Sequence, residues 1–192
     1  MNFTEFDKIF SGENLSYDEL LYISEKAETE ELLVYANKVR EQFHSNKVDL
    51  CAAMNLKSGK CNEDCRYCSQ SAFYNTNIPV YPMQDLEKVL EFADFNEKEG
   101  ITNFELSTSG GDPSRLDKEK LLSIYKALSE KTTMRLCGAH GILKSVEEAK
   151  ALKDAGLKIY QHNLQAGRTF FPNVITTHKY DERLRNTAIK YY

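Results

Sequence analysis

Tryptophan is absent from this 192-residue chain, and only four prolines and nine glycines occur in it. No low-complexity tract and no flexible interdomain linker can be seen. No run of about 18 apolar residues exists, so no transmembrane helix is expected. The N-terminus, MNFTEFDKIFSGE, lacks the basic and apolar regions of a secretory signal. Excess charge of one sign is missing too: 25 Lys+Arg stand against 29 Asp+Glu, a net charge of -4, without the basic stripe of a nucleic-acid binder. Neither membrane nor nucleic acid is therefore an expected partner. The chain also lacks the length of a complete (β/α)₈ barrel, which takes about 250 residues. With 41% hydrophobic and 11% aromatic residues, disorder is excluded.

What is present begins with five cysteines, three of them within eight residues. A cytoplasmic location is expected, where thiols stay reduced. An odd, clustered set then favours metal chemistry over a disulfide framework.

The first 45 residues read as a helical extension. Phe3, Phe6, Ile9 and Phe10 follow helix spacing, and Gly12 ends that segment. Ser16 and Glu19 form a capping box ahead of Leu20, Leu21 and Ile23. Leu32, Leu33, Ala36, Val39 and Phe43 mark a further helix face. From residue 46 to 192 strands and helices alternate. Strands are expected over Val48–Asn55, Ile101–Ser107, Met134–Ala139 and Leu157–Leu164. Helices are expected over Met83–Glu99, Asp117–Lys131, from Ser145 to Gly156, and over Tyr180–Tyr192. This alternation predicts an α/β fold with parallel strands joined by right-handed crossovers. Cys51 lies within the first strand and is expected in the core.

The stretch Cys61-Asn-Glu-Asp-Cys65-Arg-Tyr-Cys68 follows the first strand. C-x3-C-x2-C places three thiolates in one tight loop. They can hold three corners of a [4Fe–4S] cube and leave its fourth iron open to a small molecule. Zinc is the rival; its fourth ligand would be Cys51, Cys137 or a distant His. Tyr67 fits an aromatic that shields such a cluster, or an ordinary packed ring.

These cysteines with the aromatic before the last resemble the signature of the radical S-adenosylmethionine (SAM) superfamily. Further segments resemble its biotin synthase family: Asn55–Ala72 with Cys-Ser-Gln-Ser-Ala, Thr108-Ser109-Gly110, His162-Asn163-Leu164, and Phe171–His178 followed by Tyr180 and Glu182-Arg183-Leu184. The resemblance covers nearly the whole chain. It implies a partial TIM-type (βα) barrel, the N-terminal half of a radical SAM barrel, preceded by the helical extension.

The resemblance further implies a [4Fe–4S] cluster on Cys61, Cys65 and Cys68, with SAM chelating the open iron. Reductive cleavage of SAM would give a 5′-deoxyadenosyl radical that takes hydrogen from an unactivated carbon; no general acid–base pair is implied. Tyr67, Ser109, Gly110, Gly111, Asp112, Asn163, Gln165 and Arg183 match cofactor-binding positions. Asp112 stands where the superfamily's Gly-Gly-Glu element has its acid, and Arg183 matches the Arg that pairs with the SAM carboxylate. Cys137 matches one ligand of an auxiliary iron–sulfur cluster, [2Fe–2S] or other. Two positions depart from the pattern: Gln165 replaces an acid, and Glu105 replaces a second auxiliary cysteine. His140 and His162 either line the site or are structural.

The expected activity is conversion of dethiobiotin to biotin by sulfur insertion, a radical SAM sulfurtransferase reaction. An electron donor such as flavodoxin or ferredoxin and a homodimer are implied with it. The alternatives are a related hydrogenase-maturation or methylornithine synthase-like enzyme, or a non-catalytic remnant. Four βα units are half of a barrel, so a chain of this length is expected to be poorly active alone.

Overall fold

A computed structural model describes residues 4–189. Phe3, and residues 190–192 of the last expected helix, lie outside the described residues. The chain forms two compact units, Met1–Val48 and Asp49–Tyr192.

The first unit holds α1 (Glu5–Phe10), α2 (Tyr17–Lys26) and α3 (Thr29–His44). The capping box is present: the Glu19 amide donates to Ser16 Oγ at 3.3 Å, and the Ser16 amide donates to the Glu19 carboxylate at 2.8 Å. Phe6 and Ile23 form its small core, and Phe6 stacks on Tyr35 with ring centroids 3.9 Å apart.

The second unit alternates β1 (Cys51–Lys57), α4 (Leu86–Lys98), β2 (Asn103–Thr108), α5 (Arg115–Lys131), β3 (Arg135–Ala139), α6 (Val146–Asp154), β4 (Ile159–Tyr160) and α7 (Tyr180–Ile189). All pairings are parallel, in the order β1-β2-β3-β4. Ser114 and Ser145 cap α5 and α6. Gly100 (φ +84°) closes the turn after α4, in a region where a side chain would be strained.

One face of the sheet carries the core. Leu56, Phe104, Leu106 and Leu136 pack against Val89 and Ala93 of α4 and Leu121, Ile124, Tyr125 and Leu128 of α5. The α5 residues follow helix periodicity, and the strand residues alternate. That alternation corrects the expectation for Cys51. Ala52, Met54 and Leu56 take the helix side, so Cys51 falls on the opposite face and is exposed. The same parity puts Ala53, Glu105 and Cys137, aligned across three strands, on that opposite face.

The fourth strand is shorter than Leu157–Leu164. Only Ile159 and Tyr160 pair, with Cys137 and Gly138, extended by a Gln161 amide bond to the Gly138 carbonyl at 2.7 Å. Among the described residues β4 has a partner on one side only, the strand β3.

Candidate cluster and cofactor site

The C-terminal ends of the strands hold the site. After β1 the chain turns through Gly59 (φ +75°) and Lys60 (φ +51°) into the cysteine loop. A Cβ on Gly59 would lie 2.6 Å from Val80 Cγ2, so this turn requires glycine on two counts. The loop then binds itself. Cys61 N donates to the Gln70 carbonyl (2.9 Å), Ala72 N to the Cys61 carbonyl (2.8 Å), and Cys68 N to the Cys65 carbonyl (3.0 Å). Gln70 Oε1 also accepts from the Gly59 amide, and Ser71 Oγ donates to the Glu63 carbonyl at 2.7 Å.

Cys61 and Cys65 are buried and Cys68 is half-buried. Burial pushes the Cys61 and Cys65 thiols up, although the Tyr67 hydroxyl beside Cys65 works the other way. The Tyr67 phenol is itself pushed up, first by burial and then by the neighbouring Cys65.

Two glycine-containing loops complete the walls. Ser109, following β2, donates through Oγ to the Gly59 carbonyl at 2.7 Å. The Gly111 amide donates to Asn62 Oδ1 at 3.0 Å. A Cβ on Gly111 would lie 1.9 Å from Glu63 Oε1, and one on Gly141 would lie 2.5 Å from the Gly111 carbonyl oxygen. The backbones after β2 and β3 therefore approach too closely for a side chain, and the Glu63 side chain fills the space beside Gly111. With the cysteine loop they enclose a cavity of about 160 Å³ lined by all three loop thiols, Tyr67, Ser109, Gly110, Gly111, Gln165, His178 and Arg183. Gln165 reaches it from a left-handed backbone (φ +72°).

Three expected site residues are not brought into that lining. Asp112 pairs instead with Lys118 at 3.0 Å and Lys144 at 3.9 Å. Two ammonium groups face its carboxylate. Asn163 contributes its backbone carbonyl, which accepts from Arg183 Nη1 at 2.8 Å. Cys137 stays within β3, its thiol 3.6 Å from the Arg135 carbonyl. His140 is buried, hydrogen-bonded to Tyr125 at 2.6 Å and Thr108 at 3.2 Å. It borders a separate apolar cavity of about 270 Å³ between α5 and α6.

The segment that strapped the loop was named in the sequence, but its partners were not. Asp64 accepts from the amides of Thr176 (2.8 Å) and Thr177 (3.1 Å) and from both hydroxyls. The Arg66 amide donates to the Val174 carbonyl at 3.0 Å. Burial alone would raise the Asp64 carboxyl, but these four bonds hold it well below the usual carboxylate range. Glu63 accepts from His178 Nδ1 and the Thr177 hydroxyl. These bonds outweigh its burial and lower its carboxyl too. Phe171, fully buried, seats the strap under Cys65 and meets the His178 ring edge-on at 5.7 Å. Glu63 and Asp64 stand in the sequence between two of the cysteines. The partners of Glu63 and Asp64 in the strap lie more than 110 residues away, so no local pattern reveals them.

The donor set fits a multi-iron group. Among the described residues no three His, Cys, Asp or Glu side chains converge on one metal ion. A cluster instead gives each thiolate its own iron, so its ligands line a wall, as these three do.

Comparison with known proteins agrees. Residues 56–189 match the family model described as Radical SAM superfamily. Curated biotin synthases are similar: that of Desulforudis audaxviator is 45% identical over 92% of this chain and 54% of its own length. That of Pelotomaculum thermopropionicum is 43% identical over 92% of this chain and 56% of its own length. The chain thus spans about half the length of the curated relatives it matches. In fold it resembles methylornithine synthase (TM-score 0.78, 17% identity, 97% of this chain and 55% of that one). It also resembles HydG, a maturase of the [FeFe]-hydrogenase (TM-score 0.75, 18% identity, 100% of this chain and 44% of that one). The four parallel strands are accordingly part of a radical SAM barrel. No helix among the described residues is long and apolar enough to cross a membrane. Membership of the family implies a [4Fe–4S] cluster and SAM. With three thiols on one cavity wall and the sequence match over its second unit, the chain belongs to the radical SAM superfamily.

Proposed function

We propose that the chain is a biotin synthase-type radical SAM unit that holds a [4Fe–4S] cluster on Cys61, Cys65 and Cys68 and binds SAM beside it. The observation that carries this reading is the shared cavity: three thiols, the Gly110–Gly111 backbone and the Arg183 guanidinium line one space. When bound, such a cluster supplies the electron that splits the sulfonium bond of SAM. The protein's own residues bind and shield. Tyr67 covers the Cys65 side of the cavity. The Gly111 amide is held by Asn62, which fixes the loop against the cysteines. Arg183 supplies the positive charge that suits a carboxylate, and Gln165 supplies an amide for neutral hydroxyl groups.

Dethiobiotin as substrate rests on the similarity to biotin synthases. A flavodoxin or ferredoxin as electron donor, a homodimer and a cytoplasmic location extend the same reading. Cys137 is the proposed auxiliary-cluster ligand. Next to it in register stands Glu105, which accepts from Gln161 Nε2 at 2.9 Å. That carboxylate in place of a thiol favours a second reading, a relative with a different auxiliary cluster and substrate. Dethiobiotin-dependent sulfur insertion separates the two. Turnover by half a barrel is expected to be low, so the readout is a ratio: the reconstituted chain, supplied with reductant and SAM, is expected to release more 5′-deoxyadenosine with dethiobiotin than without it. A rate indifferent to dethiobiotin would favour the relative.

A further inference from the structure

Arg183 is not a free surface cation. Its Nε lies 2.8 Å from His178 Nε2, and its Nη1 lies 2.8 Å from the Asn163 carbonyl. A guanidinium only donates, so His178 Nε2 must be the acceptor and carry the lone pair. The ring proton then sits on Nδ1, which donates to the Glu63 carboxylate. His178 is buried and its ring is set by Phe171. Glu63 is pinned in turn by the Thr177 hydroxyl and by the close approach of Gly111.

We infer that Glu63 and His178 are positioning residues that aim the Arg183 guanidinium at the carboxylate of SAM, a relay running from the cysteine loop to α7. The inference rests on the proposed SAM site and adds two residues to it. Glu63 lies in the sequence between two of the thiols, so one short segment sets the place of the cluster and the direction of the guanidinium. Two of the five Arg183 donors are committed to holding its plane. A bidentate fork is productive only when its plane is set in advance.

The test compares His178→Phe with His178→Gln. Phenylalanine keeps a ring against Phe171 but can neither accept from Arg183 nor donate to Glu63. Glutamine can do both. Equilibrium dialysis on the cluster-loaded chain measures the preference for SAM over decarboxylated SAM. His178→Phe should reduce that preference about tenfold, the lower end of what outer partners contribute to a liganding group. His178→Gln should restore most of it, and His178→Phe should add nothing to Arg183→Gln. In the metal-free chain, ¹⁵N shifts should show the Nδ1–H tautomer of His178, and an Nε2–H tautomer there would overturn the relay. An unchanged preference in His178→Phe, or losses that add in the double variant, would overturn the relay alone. A cluster-loaded wild type that binds neither compound would overturn the SAM site and the relay with it.

Discussion

His140 is the buried group whose charge state should show in stability. Its ring is 1% exposed, and burial pushes its pKa down from 6.5 to about 3. The Tyr125 hydroxyl lies 2.6 Å from Nε2 and Thr108 Oγ1 lies 3.2 Å from Nδ1, so a neutral ring has both nitrogens satisfied. The unfolded chain binds a proton there below pH 6.5, and the folded chain does not until about 3. The unfolded state therefore holds more protons throughout that window, and stability falls as pH falls through it. Integration from pH 8 to pH 5 gives a loss of about 2 kcal/mol. That figure barely depends on the folded value, provided it stays below about 4. The assay is urea unfolding of wild type and His140→Gln at the two pH values. Glutamine occupies much of the ring's space, can accept from Tyr125, and does not titrate. Carboxylates such as Glu63 and Asp117, which are lowered in the fold, lose stability equally in both proteins. Wild type should lose about 2 kcal/mol more than the variant. Equal losses would refute the reasoning. In the wild type, the His140 ring resonances should also stay constant from pH 8 to pH 5.

Two further outcomes follow from packing and from the strap. Leu106→Ala should cost roughly 2–5 kcal/mol, since Leu106 is fully buried between sheet and helices, whereas exposed Cys51→Ala should stay within about 0.5 kcal/mol; urea titration of both checks the assignment of the two sheet faces. Asp64→Ala removes the acceptor of the Thr176 and Thr177 amides, and hydrogen exchange at those two amides should quicken roughly tenfold.

Much of the second unit was legible in the sequence because its signals are local. Helix periodicity in α5, the Ser145 cap on α6, and Gly100 after α4 each lie within one turn of what they control. The three thiols were legible for the same reason, being eight residues end to end. Cys51 was misread because an apolar run does not say which of two alternating faces a residue takes. The short β4 was misread because strand length depends on a neighbour, β3, and not on the strand's own apolar residues. Asp112 was expected at the cofactor because it follows Gly110-Gly111, but it pairs with Lys118 and Lys144. The relay from Glu63 through His178 to Arg183 joins positions 115 and 5 residues apart. Only the fold brings the first pair together.

Cys61, Cys65 and Cys68 are proposed to hold a [4Fe–4S] cluster with one iron open to SAM. Anaerobic reconstitution with iron and sulfide, followed by reduction and electron paramagnetic resonance, tests it directly. About four irons per chain are expected, with a reduced-cluster signal that shifts when SAM is added. Replacing any one of the three cysteines with alanine should abolish the brown colour. A colourless chain holding tightly bound zinc, or a brown one in which Cys65→Ala keeps its colour and its signal, would contradict it.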